Sequence, residues 1–265
     1  MTILLSLAGL TDVAAQQSST GLRAMAGQND ALAWQAVGRL DAARSGFCTA
    51  TLIAPDLVLT AAHCVYHSET NALYQPRDLT FRAGLRKGQA VAARKISQIE
   101  AHPGYDPESV LNQQNIRHDV ALLRLAEPIT TDELDPFVLH DRTVSTGPVS
   151  VVSYGRNREH LPSRQDVCQV QAIQQDVMVM DCNVTFGSSG APVFTHRNGR
   201  GQIVSVISGM ARTNGRKVAL GMTLPDVVAT LKHRMWANKQ QPAARIKRVT
   251  VGSDTSTGGA KFIRP

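Results

Sequence analysis

The chain has 265 residues, of which 43% are hydrophobic and 18% are charged; this composition is typical of a globular protein rather than a disordered or fibrous one. Much of the net charge of +7 lies in residues 239–265, which hold six basic residues and one acidic residue. The rest of the chain carries little net charge and does not indicate a nucleic-acid partner. We interpret 239–265 as a basic, poorly ordered tail in solvent, with contact to a membrane surface or nucleic acid as the second interpretation.

The chain begins with an apolar segment. Residues 1–15 end in Ala14 and Ala15, small residues of the kind that precede a signal-peptide cleavage site, although the usual positive charge at the start is missing. We interpret them as a short secretory signal, with a mature N-terminal segment as the alternative, and 16–30 as an N-terminal, propeptide-like segment. The apolar run is too short to span a bilayer. The sequence thus predicts an exported protein, secreted or periplasmic, without a membrane span.

Short apolar runs rich in β-branched residues fill the body of the chain at a spacing of about ten residues, a pattern that predicts an all-β sandwich or barrel. They occur at 52–59, 79–83, 91–99, 120–125, 149–153, 167–173, 177–181, 191–195, 203–207 and 217–222. One helix is predicted after them, over 225–236, because Pro225 stands at its start and apolar residues follow at helical spacing.

Three motifs in this body carry residues suited to nucleophilic catalysis: His63 after an apolar run, Asp119 at the start of another, and Ser189 between two glycines. A serine hydroxyl becomes nucleophilic when a histidine takes its proton, and a buried carboxylate can fix the tautomer of that histidine. The glycines allow a tight turn in which the N–H groups of Gly187 and Ser189 point at one oxyanion. Taken singly, each motif also fits a purely structural role.

In this order the motifs resemble the signatures of the trypsin-like (chymotrypsin-fold) serine proteases. They read Thr-Ala-Ala-His-Cys at 60–64, Asp-Val-Ala-Leu-Leu-Arg-Leu at 119–125 and Gly-Ser-Ser-Gly-Ala-Pro at 187–192, and Trp-Gln-Ala-Val-Gly-Arg-Leu at 34–40 is closer to the bacterial secreted branch that includes the glutamyl endopeptidases. The resemblance covers about residues 30–235. It implies two six-stranded antiparallel β-barrels with a C-terminal helix, the first barrel over 31–140 and the second, with that helix, over 146–238.

The resemblance also implies a catalytic triad of His63, Asp119 and Ser189, with the N–H groups of Gly187 and Ser189 as the oxyanion hole. We therefore predict a serine endopeptidase that hydrolyses protein or peptide substrates through an acyl-enzyme. The alternatives are a non-catalytic binding protein on the same fold and an esterase or acyl transferase with the same triad. The mechanism needs no metal or organic cofactor and none is predicted, although His63 and His67 stand four residues apart. The oligomeric state stays open.

Two positions depart from the trypsin pattern. Ser188 stands where trypsin-type enzymes have the aspartate that binds the new N-terminus after zymogen cleavage, so we expect activity without an inserted N-terminus. Asn183 replaces the aspartate that selects basic side chains, and the later pocket strand lacks the histidine of glutamyl endopeptidases, so selectivity for Lys, Arg or Glu is not implied. The predicted substrate-binding residues, whose neutral side chains suggest a small or apolar residue before the scissile bond, are Asn183, Val184, Thr185, Ser205, Val206 and Ile207.

The four cysteines are expected to form two disulfides. The family has a disulfide that anchors the histidine loop, which implies a pair between Cys48 and Cys64. Cys168 and Cys182 remain, and their separation suits neighbouring strands of a hairpin. An even count without a free thiol is typical of an oxidising compartment. A zinc site or buried free thiols are the alternatives, but the sequence has no Cys-x-x-Cys or paired His–Cys spacing.

Overall fold

The computed structural model describes residues 18–43, 46–142, 144, 146–196, 200–224 and 226–240. The predicted signal segment at 1–15 lies outside the described residues, as do the start of the 16–30 segment and residues 241–265 of the basic tail. In the described part of the chain, no helix is long and apolar enough to cross a membrane.

A strand and a short helix come first. β1 (Leu22–Ala24) pairs antiparallel with a strand of the second barrel, and α1 (Gln28–Leu32) follows it. The segment predicted as propeptide-like therefore contributes to the folded body.

The first barrel is a closed antiparallel sheet of six strands. They are β2 (Val37–Ala42), β3 (Gly46–Ala54), β4 (Leu57–Thr60), β5 (Leu79–Ala83), β6 (Ala92–Ala101) and β7 (Ala121–Leu125), in the spatial order β2-β3-β4-β7-β6-β5. The six-residue helix α2 (Gln113–His118) precedes β7. Buried and partly exposed side chains alternate along β5 of this barrel. Leu79, Phe81 and Ala83 are buried while Thr80 and Arg82 are partly exposed, as expected when successive side chains point to opposite faces of the sheet.

The second barrel also has six antiparallel strands. They are β8 (Gly147–Ser153), β9 (Ser163–Gln174), β10 (Val177–Met180), β11 (Pro192–Thr195), β12 (Gln202–Thr213) and β13 (Arg216–Thr223). Their order is β9-β10-β13-β12-β11-β8, and pairing between β8 and β9 closes the ring, with β1 added on β9. The C-terminal helix α3 (Asp226–Gln240) follows. The predicted architecture of two six-stranded barrels and a terminal helix is confirmed.

A shared apolar core joins the two barrels. Trp34 lies 5.1 Å from Phe194, and Phe137 lies 4.6 Å from the same ring, between centroids. The helix α3 packs on the first barrel, where Arg234 donates to the buried carboxylate of Glu100 at 2.8 Å. These contacts fix the cleft between the barrels, at which the candidate catalytic residues meet.

Candidate active site

His63 lies in a 3-10 turn, Ala62–Val65, directly after β4. The next residue, Cys64, forms a disulfide with Cys48 of β3, so the histidine turn is tied covalently to the barrel wall. The second disulfide joins Cys168 and Cys182. Both pairings are those that the sequence analysis predicts.

Asp119 is the C-cap residue of α2 and is 3% exposed. Its Oδ1 accepts the backbone N–H of His63 at 2.8 Å, and its Oδ2 lies 2.7 Å from His63 Nδ1. The hydroxyl of Ser208, in β12, donates to the same Oδ2 at 2.6 Å. The carboxylate thus fixes both the backbone and the ring of the histidine, which leaves Nε2 as the proton-accepting nitrogen.

The same carboxylate controls the basicity of the imidazole. Burial lowers the pKa of His63, but the negative charge of Asp119 and its hydrogen bond to the ring raise it, and the net result is a pKa above the ordinary value. The side chain of His63 keeps 33% of its surface exposed. It therefore combines a fixed tautomer with an accessible, more basic nitrogen, as a general base requires.

Ser189 lies in a turn with a positive-φ glycine two residues before it and another directly after it. Gly187 has φ +90° and Gly190 has φ +78°, angles that L side chains rarely adopt. A Cβ on Gly190 would lie 2.1 Å from the backbone oxygen of Thr49, and one on Gly187 would lie 2.4 Å from the ring of Phe47. Both glycines let residues 187–190, the nucleophile turn, approach the first barrel closely.

Thr49, in β3, holds this turn from the first barrel. Its Oγ1 donates to the carbonyl of Gly187 at 2.8 Å, and its backbone N–H donates to the carbonyl of Ser189 at 2.8 Å. The N–H of Tyr154 donates to the same hydroxyl at 3.0 Å. Sequence reasoning missed Thr49, because a threonine inside a strand carries no signal for such a long-range contact.

The backbone N–H groups of the turn differ in whether they have a hydrogen-bond acceptor among the described residues. The N–H of Ser188 donates to the carbonyl of Thr185, and that of Gly190 donates to the carbonyl of Ile207. Within the described ranges, no oxygen accepts a hydrogen bond from the N–H of Gly187 or Ser189. These are the two donors that the sequence analysis predicts as an oxyanion hole.

His63 and Ser189 line the same cavity of about 430 Å³. No hydrogen bond joins their side chains among the contacts of the described residues; such contacts in serine hydrolases often tighten only when substrate is bound. The cavity walls are largely apolar, formed by Phe47, Tyr74, Phe186 and the Cys48–Cys64 disulfide, with Arg156 stacked 4.4 Å over the Phe186 ring.

A second, smaller cavity of about 210 Å³ lies on the other side of His63, against Tyr105, Leu111, Asp119 and Ser208. Beside it, β12 is paired with β13 as far as Thr213, whereas its pairing with β11 ends at Val206. Beyond Ile207 that edge of β12 has no strand partner in the described part of the chain. An unpaired edge of this kind can add an extended peptide as a further strand.

The predicted substrate-binding residues do not gather at the large cavity. Asn183 and Thr185 are exposed and Val184 is buried, and none of the three is part of its wall. Ser205, Val206 and Ile207 lie in the interior, with the hydroxyl of Ser205 bonded to the carbonyl of Met222. Their side chains present no surface to a substrate. A bulge between Ile207 and Gly209 shifts the strand register at this point, and the first polar side chain that reaches the site is Ser208.

Cys48, His63 and Cys64 hold atoms of ligand type within 4.8 Å of one another. Both sulfurs belong to the disulfide, and His63 Nδ1 contacts Asp119. Because zinc binds cysteine as the thiolate and its sites have three or four protein ligands, a disulfide and one imidazole do not form a metal site.

The trypsin family model matches residues 23–228. A trypsin from Sarcophaga bullata is 33% identical over 118 residues, and kallikrein-15 from Saguinus oedipus is 37% identical over 111 residues. These alignments cover 43% and 40% of this chain but only 41% and 37% of the two relatives. A solved structure described as "Structure of Glu endopeptidase in complex with MPD" has a TM-score of 0.66 at 17% identity, over 82% of this chain and 97% of that one.

At 17% identity, the structural likeness supports the fold alone. The family match covers both barrels and includes the turns that carry His63, Asp119 and Ser189. The chain therefore belongs to the trypsin family.

Proposed function

We propose that the protein is a serine endopeptidase that uses Ser189 as nucleophile, His63 as general base and acid, and Asp119 to orient the imidazole. The observation that carries the proposal is the pair of buried Asp119 and partly exposed His63, in which the histidine borders the cavity that Ser189 also lines. The two N–H groups of the nucleophile turn that have no acceptor among the described residues add the electrostatic part of the site.

In the proposed reaction, Ser189 Oγ attacks the peptide carbonyl while His63 Nε2 takes the hydroxyl proton. The C=O electron pair moves onto the oxygen, which the N–H groups of Gly187 and Ser189 stabilise. His63 then gives its proton to the leaving nitrogen as the C–N bond breaks, which yields an acyl-enzyme and a new N-terminus. Water attacks the ester by the same sequence and restores Ser189.

The substrate is a protein or peptide that crosses the cleft in extended form. Residues before the scissile bond add to the free edge of β12 that begins at Ser208, beside the smaller cavity. The larger cavity, on the opposite side of His63, then accepts the side chain of a residue after the scissile bond. Its aromatic and apolar walls select a large apolar or aromatic residue there, because burial of such a side chain contributes about 1.5–3 kcal/mol.

The proposal extends to the cellular location. Two disulfides hold the fold, one of them next to the candidate base, and disulfides persist in oxidising compartments. We place the enzyme outside the cytoplasm, secreted or periplasmic.

A fluorophosphonate probe tests the nucleophile directly, since it reacts only with an activated serine. The wild-type protein should be labelled, Ser189→Ala should not, and Ser97→Ala, a serine of β6 away from the cleft, should be labelled at the wild-type rate. Cleavage of a peptide library, with the products sequenced, then tests for peptide hydrolysis. Absence of both labelling and cleavage refutes the proposal, and labelling with cleavage of esters alone assigns an esterase.

The same library, varied on both sides of the scissile bond, tests which substrate side chain the larger cavity accepts. Enrichment of aromatic or large apolar residues just after the bond supports the assignment, and Phe186→Ala, which removes an exposed wall of the cavity, should weaken that preference. Selection confined to residues before the bond would refute it.

A further inference from the structure

A partly buried arginine lies beneath the nucleophile turn. Arg158 stands in the loop after β8, and its Nη2 donates to the Oγ of Ser188 at 2.9 Å and to the Oγ of Ser153 at 3.0 Å. Its Nη1 donates to the carbonyl of Ser153. Burial lowers the pKa of Arg158 to about 10, so the guanidinium stays charged at neutral pH and depends on these oxygens for stabilisation.

Ser188, the acceptor, is fully buried. Its hydroxyl also accepts the N–H of Thr185 at 3.2 Å and lies 3.2 Å from the carbonyl of Tyr154. It is the residue between the two N–H groups proposed as the oxyanion hole. The two peptide planes next to Ser188 are 187–188 and 188–189, and the second carries the N–H of Ser189. A contact that fixes the Ser188 side chain therefore also restrains that donor.

Gly155 lies directly against the guanidinium. A Cβ on Gly155 would lie 2.5 Å from Arg158 Nη2 and 2.6 Å from the Oγ1 of Thr185. A side chain at position 155 would therefore displace the guanidinium or the hydroxyl of Thr185.

The described N-terminal residues occupy a different place. The N–H of Thr20 donates to the carbonyl of Val167, Ser19 donates to Asp181, and β1 runs along the outer side of β9. This segment pairs with the sheet, whereas the position beside Ser188 is filled by the Arg158 side chain.

We propose that Arg158 is the positioning residue of the oxyanion hole and takes the place that a newly cleaved N-terminus holds in trypsin-type enzymes. The guanidinium is in place once the second barrel has folded, so the turn adopts its active shape without proteolytic processing. Thr49 holds the turn by hydrogen bonds to the carbonyls of Gly187 and Ser189. Arg158 holds it by a hydrogen bond to the side chain of Ser188. The inference rests on the proposed endopeptidase function, because it assigns a role within that site.

Arg158→Met tests the proposal, since methionine keeps much of the side-chain length and removes every donor. We expect kcat to fall about a hundred- to a thousandfold, the range for loss of one oxyanion donor, while KM changes less than threefold. Fluorophosphonate labelling should slow by the same factor as kcat, because the phosphonyl oxygen uses the same hole. Arg158→Lys, which restores one donor, should recover part of the lost rate.

Arg164→Met is the matched control for a merely structural effect. Arg164 is also partly buried in the second barrel, where it stacks 4.5 Å over Trp34 and pairs with Asp166 at 2.9 Å. Its loss should lower the melting temperature without a change in kcat. Ser188→Asp should keep activity within tenfold when Arg158 is present, because the carboxylate pairs with the guanidinium, and should lose it in the Arg158→Met background.

The outcomes separate this inference from the proposed function. An Arg158→Met protein that is folded and keeps kcat within threefold of wild type overturns the positioning role. Equal losses of kcat in Arg158→Met and Arg164→Met overturn it as well, as does complete loss of activity when residues are added to the N-terminus of the folded protein. A wild-type protein that neither reacts with the probe nor cleaves peptides refutes the function itself.

Discussion

Replacement of Asp119 by asparagine tests whether the carboxylate sets the tautomer of His63, with little change in side-chain volume. The amide keeps one oxygen, which can still accept the backbone N–H of His63 now bound at 2.8 Å. The other oxygen becomes an NH₂ group that faces His63 Nδ1 and the hydroxyl of Ser208, at 2.7 and 2.6 Å in the wild type. A donor there forces Nδ1 to accept, and the ring proton moves to Nε2.

A histidine protonated at Nε2 cannot take the proton of Ser189. The corresponding change in a serine-protease triad lowers kcat by about 10⁴, equivalent to about 5.4 kcal/mol in the activation free energy. We expect a loss of this size with an unchanged circular dichroism spectrum. Loss of the negative charge also removes what raises the pKa of His63, so the acid limb of residual kcat/KM should move to lower pH than in the wild type, where it lies above about 6.5.

Asp56→Asn supplies the matched control. Asp56 pairs with Arg124 on the first barrel, away from the cleft, and its replacement should leave kcat and the pH profile unchanged. Measurement of kcat and kcat/KM on one peptide substrate from pH 5 to 9 decides the matter. A folded Asp119→Asn enzyme that loses less than tenfold in kcat would show that the carboxylate does not set the tautomer.

Three further changes have expected outcomes. Gly187→Ala forces a Cβ to within 2.4 Å of the Phe47 ring at φ +90° and should lower kcat about a hundredfold or more, as for loss of an oxyanion donor, in steady-state kinetics. Joint replacement of Cys168 and Cys182 by serine opens a 14-residue loop and should cost about 3 kcal/mol in urea unfolding. His102→Asn should reduce the loss of melting temperature between pH 6.5 and 4.

The reason for the last effect is that burial, aided by the charges of His118, Arg234 and Arg117, lowers the pKa of His102 to about 4. The unfolded chain binds a proton at about pH 6.5, so stability is full above that value and falls as the pH drops towards 4. Asparagine can still accept the N–H of Gly104. Identical acid sensitivity in His102→Asn and the wild type would contradict this explanation. An unchanged kcat in Gly187→Ala would contradict the role given to that glycine. An unchanged urea midpoint after removal of the Cys168–Cys182 disulfide would contradict its stabilising role.

The three candidate catalytic residues could be predicted because their signals are local, and the two-barrel fold followed from the family resemblance that these motifs carry. A histidine before a cysteine, an aspartate before an apolar strand and a serine between glycines each occupy a few adjacent positions. The apolar runs also predicted most strands, since one buried face leaves a short periodic pattern, as in Leu79–Ala83.

Other parts of the site could not be predicted because they depend on register. The run at 203–207 is buried on both faces, Ser205 included, so its pattern does not show which side chain faces the cleft. The bulge before Gly209 turns Ser208 towards Asp119. β1 has three residues, too few for a periodic pattern, and its pairing with β9 comes from tertiary contact. α2 lies in a stretch that reads as loop, where the one local signal is Asn112, whose side chain caps the helix.

Arg158 and Thr49 show why a sequence that predicts the candidate catalytic residues does not also predict the contacts that hold them in position. The candidate base and its carboxylate belong to the first barrel, whereas the nucleophile turn belongs to the second, so the distance between His63 and Ser189 depends on how the barrels meet. Thr49 spans that junction with two hydrogen bonds to the turn. Arg158 fixes the same turn from within its own barrel. Since both contacts use hydroxyl and carbonyl oxygens rather than a carboxylate, the alignment proposed for this site would need no charge created by processing of the chain.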